Sequence, residues 1–426
     1  MPLAGHLNPM TALARRLQSR GHKIAFIGIP DAEPIVRAAG LDFVPFCEKE
    51  YPAGAVSNGY ANLTKLSGLE VIEYALREMH PRRCRVTLEH LEEAILKGGI
   101  DAMVIDTIHF FAELVPMKMG LPYIHICNAL FIDRTGSSPS CLFATPVGST
   151  PEALAKYVET ARETNRILYP VEEPASEYAA KNSLDIDWND PYATVSKLAV
   201  ITQTPREFDF EIPGLPAKFV YAGPFHDGEG RAEIPFPWER LTGAPLIYAS
   251  MGTLLNGMEH VYRHILEAVG RFPETQVVLS VGKNISLGNI GFIPSNVIVV
   301  PRAPQLEILK EAVLCITHAG HNTALESLAQ GVPMVAIPVG FDQPGIAARI
   351  AHHGVGEFVE VGALSADRLA DLVNKVMRQP RYRENARRFK KIIADLHGLD
   401  VAADTIEDAL KTHAWTPSSL QNALIS

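Results

Sequence analysis

The chain has 426 residues, 47% of them apolar and 20% charged, the balance of an ordinary globular protein, which excludes a disordered or fibrous polymer. A formal net charge of -9 without any long Lys/Arg run argues against nucleic acid or an anionic membrane as the main partner, and no stretch reaches the roughly 18 apolar residues of a membrane span. Five scattered cysteines (Cys47, Cys84, Cys127, Cys141, Cys315), no C-x-x-C pair and no signal-peptide layout predict a soluble cytoplasmic protein that is not secreted.

The length predicts two domains of roughly 200 residues each. Met10, Leu13, Ala14 and Leu17 stand at helical spacing, Gly21 stops the pattern, and an apolar run over 24–29 follows, so the start reads as helix, turn, strand. A second helix near 35–39 ends at Gly40, a strand follows at 41–46, and short buried strands are expected at 102–105 and 123–127. Such alternation predicts an α/β domain with a parallel sheet covered by helices on both faces. Residues 223–237 are rich in glycine and proline (Pro224, Pro235, Pro237), which neither a helix nor a central strand tolerates, and read as a linker. Beyond it, apolar strands at 246–249, 277–281, 297–300, 314–317 and 335–337 predict a second doubly wound domain. Helices at 382–396 and 401–412 end the pattern, and the tail after Trp415 reads as loosely ordered. The expected division is 1–222, a linker over 223–240, 241–400, and a terminal helix and tail over 401–426 that returns toward the first domain.

The segment 302–343 carries the most chemistry. It reads P-R-A-P-Q-L-E-I-L from Pro301, T-H-A-G-H-N-T-A-L-E from Thr317 and G-V-P-M-V-A-I-P-V-G-F-D-Q from Gly331. A strand ending at Thr317 and a helix starting near Asn322 make His318, Gly320, His321, Asn322 and Thr323 a strand-to-helix turn, whose free N–H groups and positive helix end suit a diphosphate. Gly320 would let the backbone approach the phosphates, with His318 and Thr323 adding donors. Glu326, one turn on, is placed to accept two ribose hydroxyls; the alternative is an exposed helical glutamate. Asp342 and Gln343 follow a strand on a short loop at the carboxyl edge of the sheet, where open α/β sheets bind ligands.

These motifs resemble the donor-binding signature of the UDP-dependent glycosyltransferases (family 1) that glycosylate small lipophilic molecules. The resemblance implies the GT-B fold, two Rossmann-like domains facing a cleft. It places Ala303 and Gln305 along the nucleoside, Glu326 on the ribose, His318 with the turn from Gly320 to Thr323 on the diphosphate, and Asp342 and Gln343 on the sugar. Gly252 and Thr253 of S-M-G-T would approach the phosphates as well. Arg302 stands where plant members have a tryptophan against uracil, and a guanidinium plane also stacks on a base.

In G-H-L-N-P, His6 is expected on the turn before the first helix, where the family uses a histidine to deprotonate the acceptor. An alcohol must lose its proton as it attacks the anomeric carbon, and a neutral imidazole is available at neutral pH. Asp106, after the strand at 102–105 in V-I-D-T-I-H-F-F-A-E-L, would orient that imidazole as in a hydrolase triad; the alternative is a cap for the following helix. His109 lies one turn on and reads as bystander. Family members have a full buried strand before the G-H turn, whereas residues 1–4 alone precede Gly5 here, so the chain begins late or the sheet lacks most of its usual first strand.

Phe46, Tyr51, Tyr60, Phe110, Phe111, Leu130, Phe131 and Phe143 supply aromatic and apolar candidates for an acceptor pocket. Asp185, Asp187 and Asp190 superficially resemble a metal-holding aspartate set, but their surroundings are polar and turn-like, and no metal or other cofactor is expected. The expected partners are a UDP-sugar donor, UDP-glucose above others, and a small apolar hydroxylated acceptor (phenolic, terpenoid, carotenoid or polyketide), in a monomer or weak dimer. Two rival readings stay open: a degenerate homologue that binds a nucleotide sugar without transfer, and a sugar-nucleotide epimerase. An NAD-dependent oxidoreductase lacks its strand–G-x-G-x-x-G–helix element.

Overall fold

The computed structural model describes residues 3–55, 60, 62–226, 228–229, 233–255, 257–282 and 285–411. The tail after Trp415 and part of the expected linker (227 and 230–232) lie outside the described residues. In chain order the first half holds α1 (Ala4–Ser19), β1 (Ala25–Gly28), α2 (Glu33–Ala38), β2 (Asp42–Pro45), α3 (Leu69–Tyr74), a π-helical turn (Ala75–Met79), α4 (His80–Gly98), β3 (Met103–Asp106), α5 (Leu114–Met119), β4 (Tyr123–Cys127), α6 (Pro151–Lys181), β5 (Val200–Thr202) and β6 (Phe219–Tyr221). All its strand pairs are parallel, but they form two sheets, β1-β2 and β3-β4-β5-β6.

The second half holds β7 (Leu246–Ser250), α7 (Glu259–Val269), β8 (Gln276–Ser280), β9 (Val297–Val300), α8 (Gln305–Glu311), β10 (Ala312–Thr317), α9 (His321–Gln330), β11 (Met334–Ala336), α10 (Gln343–His352), β12 (Gly356–Phe358), α11 (Ala366–Arg378), α12 (Pro380–Asp395) and α13 (Gly398–Lys411). Its six strands make one parallel sheet, ordered β12-β11-β10-β7-β8-β9. β7 is buried along its whole length, as a central strand covered on both faces must be. α11 shows how the covering helices form: Ser365 caps it by accepting the Arg368 N–H, and Leu369, Val373 and Val376 recur on its buried face.

α13 leaves this half and lies on α1, where Leu399, Ala402 and Ile406 meet Leu13 and Leu17. Arg20 of α1 ties the rim of that contact to Asp400 at 2.7 Å and Asp404 at 2.5 Å. The two chain crossings between the halves touch here, because Gly398 has no Cβ: one added there would stand 2.5 Å from Gly223 O and 2.6 Å from Pro224 O. Gly398→Ala forces those backbones apart, and we expect it to destabilise the protein by about 1–3 kcal/mol, read as a lower denaturant midpoint. An unchanged midpoint would show that the crossings separate freely.

Candidate active site

His6 lies in the first turn of α1, not on a turn preceding it, because the helix begins at Ala4 and contains Pro9. Proline has no N–H to give to the carbonyl four residues back, so Gly5 O lacks its helical partner. Asn322 supplies one from the other half, its Nδ2 donating to Gly5 O at 2.5 Å. The G-H-L-N-P segment thus presents His6 and also an acceptor for the opposite wall.

Asp106 ends β3 and is 4% exposed. Its Oδ2 accepts from His6 Nδ1 at 2.8 Å and from Asn128 Nδ2 at 2.8 Å, while Oδ1 accepts the Ile108 N–H at 3.2 Å. Imidazole partner and turn cap are therefore both present, one on each oxygen. Burial pushes the carboxyl up, but the charge and hydrogen bond of His6, with His109 and Asn128, outweigh it and hold it at about 2. A carboxylate on Nδ1 fixes the tautomer of neutral His6, leaving its Nε2 lone pair as the free basic position on a side chain 19% exposed.

Across the cleft, β10 ends at Thr317 and α9 begins at His321. Ala319 between them is held in left-handed backbone (φ 62), its N–H given to Thr317 Oγ1 at 3.2 Å. No side chain caps α9, so the N–H groups of its first turn remain for a ligand. The imidazole of His318 fills the space beside Gly252 and Gly320, and a Cβ on either glycine would collide with it. Both positions thus need glycine for the histidine ring to fit. Burial lowers His318 to about 4, against the Ser250 carbonyl and Asp342, so it is a neutral group at neutral pH. Its buried Nδ1 has no hydrogen-bond partner among the described residues.

Glu326 is 3% exposed rather than solvated. Gln305 Nε2 donates to Glu326 Oε2 at 2.6 Å and to Thr323 Oγ1 at 3.3 Å, while Gln305 Oε1 accepts the Tyr248 hydroxyl at 3.0 Å. Ala303 is buried nearby in sequence; Arg302 and Thr253 are exposed. Gln343 opens α10 instead of lying on a loop, and its Oε1 accepts the N–H groups of Val339 and Gly340 at 2.8 and 3.1 Å. Asp342, just before it, accepts the Leu130 N–H at 3.0 Å from the first half.

The side chains of His321 and Asn322, two residues of the expected turn, are turned toward the first half. His321 points its ring at the first half: Asn128 O at 3.1 Å can only accept, so Nδ1 carries the proton and Nε2, at 3.0 Å, accepts from the Thr204 hydroxyl. Asn322 joins Gly5 O to Gln203, whose Nε2 donates to its Oδ1 at 3.0 Å. For a phosphate, these residues offer their backbone N–H groups.

Residues 240–411 match the family model described as UDP-glucoronosyl and UDP-glucosyl transferase. The second half of the chain carries the UDP-glycosyltransferase family model. The chain is 26% identical over 411 residues to the uncharacterized UDP-glucosyltransferase YojK of Bacillus subtilis (strain 168), covering 96% of each chain. It is 24% identical over 412 residues to the zeaxanthin glucosyltransferase of Pantoea ananas, covering 96% of this chain and 95% of that one. The calicheamicin glycosyltransferase CalG4 shares its fold with a TM-score of 0.71 at 22% identity, over 96% of both chains. The architecture is GT-B, with two α/β domains of parallel strands.

Several residues of this glycosyltransferase's cleft were not singled out from the sequence. Asn128 stands just past β4, at the same carboxyl edge as Asp106, and connects the Asp106 carboxylate to His321 and Gln203. The edge position was its only sequence signal. Asp209 and Arg349 pair across the halves at 2.6 Å, both side chains nearly inaccessible. Of the aromatic candidates, Phe110 lines a cavity and packs edge-on against His80, whereas Phe131 is taken up by Tyr192 and Phe219. Of the three aspartates that superficially resemble a metal set, Asp187 accepts the Asn189 N–H and Asp190 the Tyr192 N–H.

Proposed function

We infer that this glycosyltransferase moves a hexose, glucose foremost, from a UDP-sugar to a hydroxyl of a small apolar acceptor, with inversion and without a metal ion. The observation that carries the reading is the 2.8 Å His6–Asp106 pair beside an uncapped helix end. The acceptor hydroxyl gives its proton to His6 Nε2 as its oxygen bonds to the anomeric carbon. The bond from that carbon to the diphosphate oxygen breaks in the same displacement, and Asp106 stabilises the imidazolium. The departing charge meets the N–H groups at the start of α9, with neutral His318 beside them. Ala303 and Gln305 would lie along the nucleoside, Glu326 would hold the ribose, the turn from Gly320 to Thr323 the diphosphate, Asp342 and Gln343 the sugar, and Arg302 the base; an α-linked donor gives a β-glycoside. Residues 1–222 serve as the acceptor half and 241–400 as the donor half. The relatives' names, a zeaxanthin glucosyltransferase and a calicheamicin glycosyltransferase, favour a natural-product acceptor.

A panel of UDP-sugars against phenolic and terpenoid acceptors, read by mass spectrometry, tests the reading. We expect UDP to raise the unfolding temperature and at least one glycoside to form; UDP binding with no transfer to any acceptor would favour the degenerate homologue. Activity should be retained in excess EDTA, since a helix end and neutral histidines are offered to the diphosphate. Loss of activity that magnesium restores would overturn the metal-independent route.

A further inference from the structure

A cavity beside the His6–Asp106 pair contains an unopposed positive charge. It is lined by His80, Arg83, Cys84 and Thr87 of α4, by His109 and Phe110 just after β3, and by Val171 of α6. Its interior, about 10 Å³, has room for about one water-sized group, such as one carboxylate oxygen, and not for an apolar body. His109 gives its N–H to Asp106 O at 2.9 Å, so the cavity lies within a turn of the residue that holds the base.

Three arginines sit on this turn of α4 and are used differently. Arg82 is exposed and lies over the Tyr51 ring at 5.8 Å, and Arg85 bridges Glu173 and Glu177. Arg83 is half-buried and forms no ion pair among the described residues. Instead its Nη2 donates to His80 Nδ1 at 2.6 Å, and the guanidinium also hydrogen-bonds the Tyr60 side chain, neither of them an anion. The neighbours do not neutralise it: burial drives both His80 and His109 well below the ordinary histidine value, so both rings are neutral, and no carboxylate lines the cavity. The preceding π-helical turn adds a residue to the helix and so rotates His80 and Arg83 relative to an unbroken α-helix. Such turns occur frequently at functional sites.

A half-buried guanidinium with no carboxylate beside it among the described residues favours binding of an anion, and its planar fork matches a carboxylate. We propose that Arg83, with His80 beside it, binds a carboxylate of the acceptor, so that the acceptors are hydroxylated organic acids whose acid end enters this cavity while a hydroxyl reaches His6. The proposal rests on the transferase reading and names its acceptor class. Phe110, edge-on to His80 at 5.3 Å between ring centroids, supplies apolar contact for the body of such a molecule.

The test uses para-hydroxycinnamate and its methyl ester as matched probes, measuring both equilibrium binding and transfer from UDP-glucose with wild type, Arg83→Gln and Arg83→Lys. Wild type should prefer the acid. Arg83→Gln should reduce the acid-over-ester ratio on the order of thirtyfold, with Arg83→Lys recovering part of it. Equal binding of acid and ester to wild type, or a ratio unmoved in Arg83→Gln, would overturn the proposal. The binding measurement keeps the two readings separable: an intact acid preference without any transfer sinks the transferase reading and leaves the carboxylate site standing.

Discussion

His6→Ala should lower turnover on the order of a hundredfold or more while leaving UDP binding intact. The variant removes the basic nitrogen held by Asp106 at 2.8 Å, and nothing on the donor wall depends on the imidazole. Alanine suits the first turn of a helix, so circular dichroism and the unfolding midpoint should match wild type. Single-turnover assays with saturating UDP-glucose separate the chemical step from binding; an unchanged rate would remove His6 from the mechanism. Asp106→Asn is the companion experiment. An amide still hydrogen-bonds the ring but cannot stabilise an imidazolium, so kcat should fall with little change in donor KM. Because the Asp106 carboxyl is held at about 2, below its unfolded value, its charge and stabilising effect are fully present above pH 4 and are lost only as pH falls toward 2. Ordinary assays therefore never titrate it, and any activity change across neutral pH has another source.

The parallel strands were legible because each is an apolar run bounded by turn residues. Tyr123–Cys127 and Val297–Val300 match their expected spans residue for residue. Asp106, Asp342 and Gln343 were singled out by one rule, that ligands meet the carboxyl edge of such sheets, and they do follow or end strands. The helix start was misplaced because the apolar spacing begins only at Met10; α1 begins at Ala4 with Pro9 inside it, and Asn322 bonds to the carbonyl that Pro9 leaves. His321 and Asn322 were placed on the strand-to-helix turn, but where their side chains go was not legible, since sequence spacing says nothing about what the facing domain offers. Asn128, Thr204 and Gln203 take those side chains, at separations in sequence of 193, 117 and 119 residues. Pairings of that kind come only from the fold. The same limit hid Arg83, whose importance lies in the carboxylate that does not face it.

Asp209→Ala should be the most destabilising of the substitutions considered. Asp209 Oδ1 accepts from Arg349 Nε at 2.9 Å and Nη2 at 2.6 Å, while Arg349 Nη1 donates to Gly345 O at 3.0 Å and the guanidinium lies 4.2 Å over Phe210. Removing the carboxylate strands a charge in a site 3% exposed, which costs about 3–5 kcal/mol, a large share of the roughly 5–15 kcal/mol that holds a domain together. Chemical denaturation should report that loss. The double variant Asp209→Leu with Arg349→Met should recover most of it, because it removes the stranded charge and keeps apolar volume. If both variants lose the same amount, the ion pair itself is what stabilises the site; if neither loses more than about 1 kcal/mol, the guanidinium finds solvent and the pair is dispensable. The functional consequence follows from position. Arg349 lies on α10, the helix that begins with Gln343 and follows Asp342, and Gly345 on its first turn gives its N–H to Cys141 O of the opposite half at 3.0 Å. Loosening the pair frees α10 to shift against that wall, so the double variant should show a raised donor KM even where stability returns. A double variant with wild-type stability and wild-type donor KM would mean that α10 is positioned by its own domain alone.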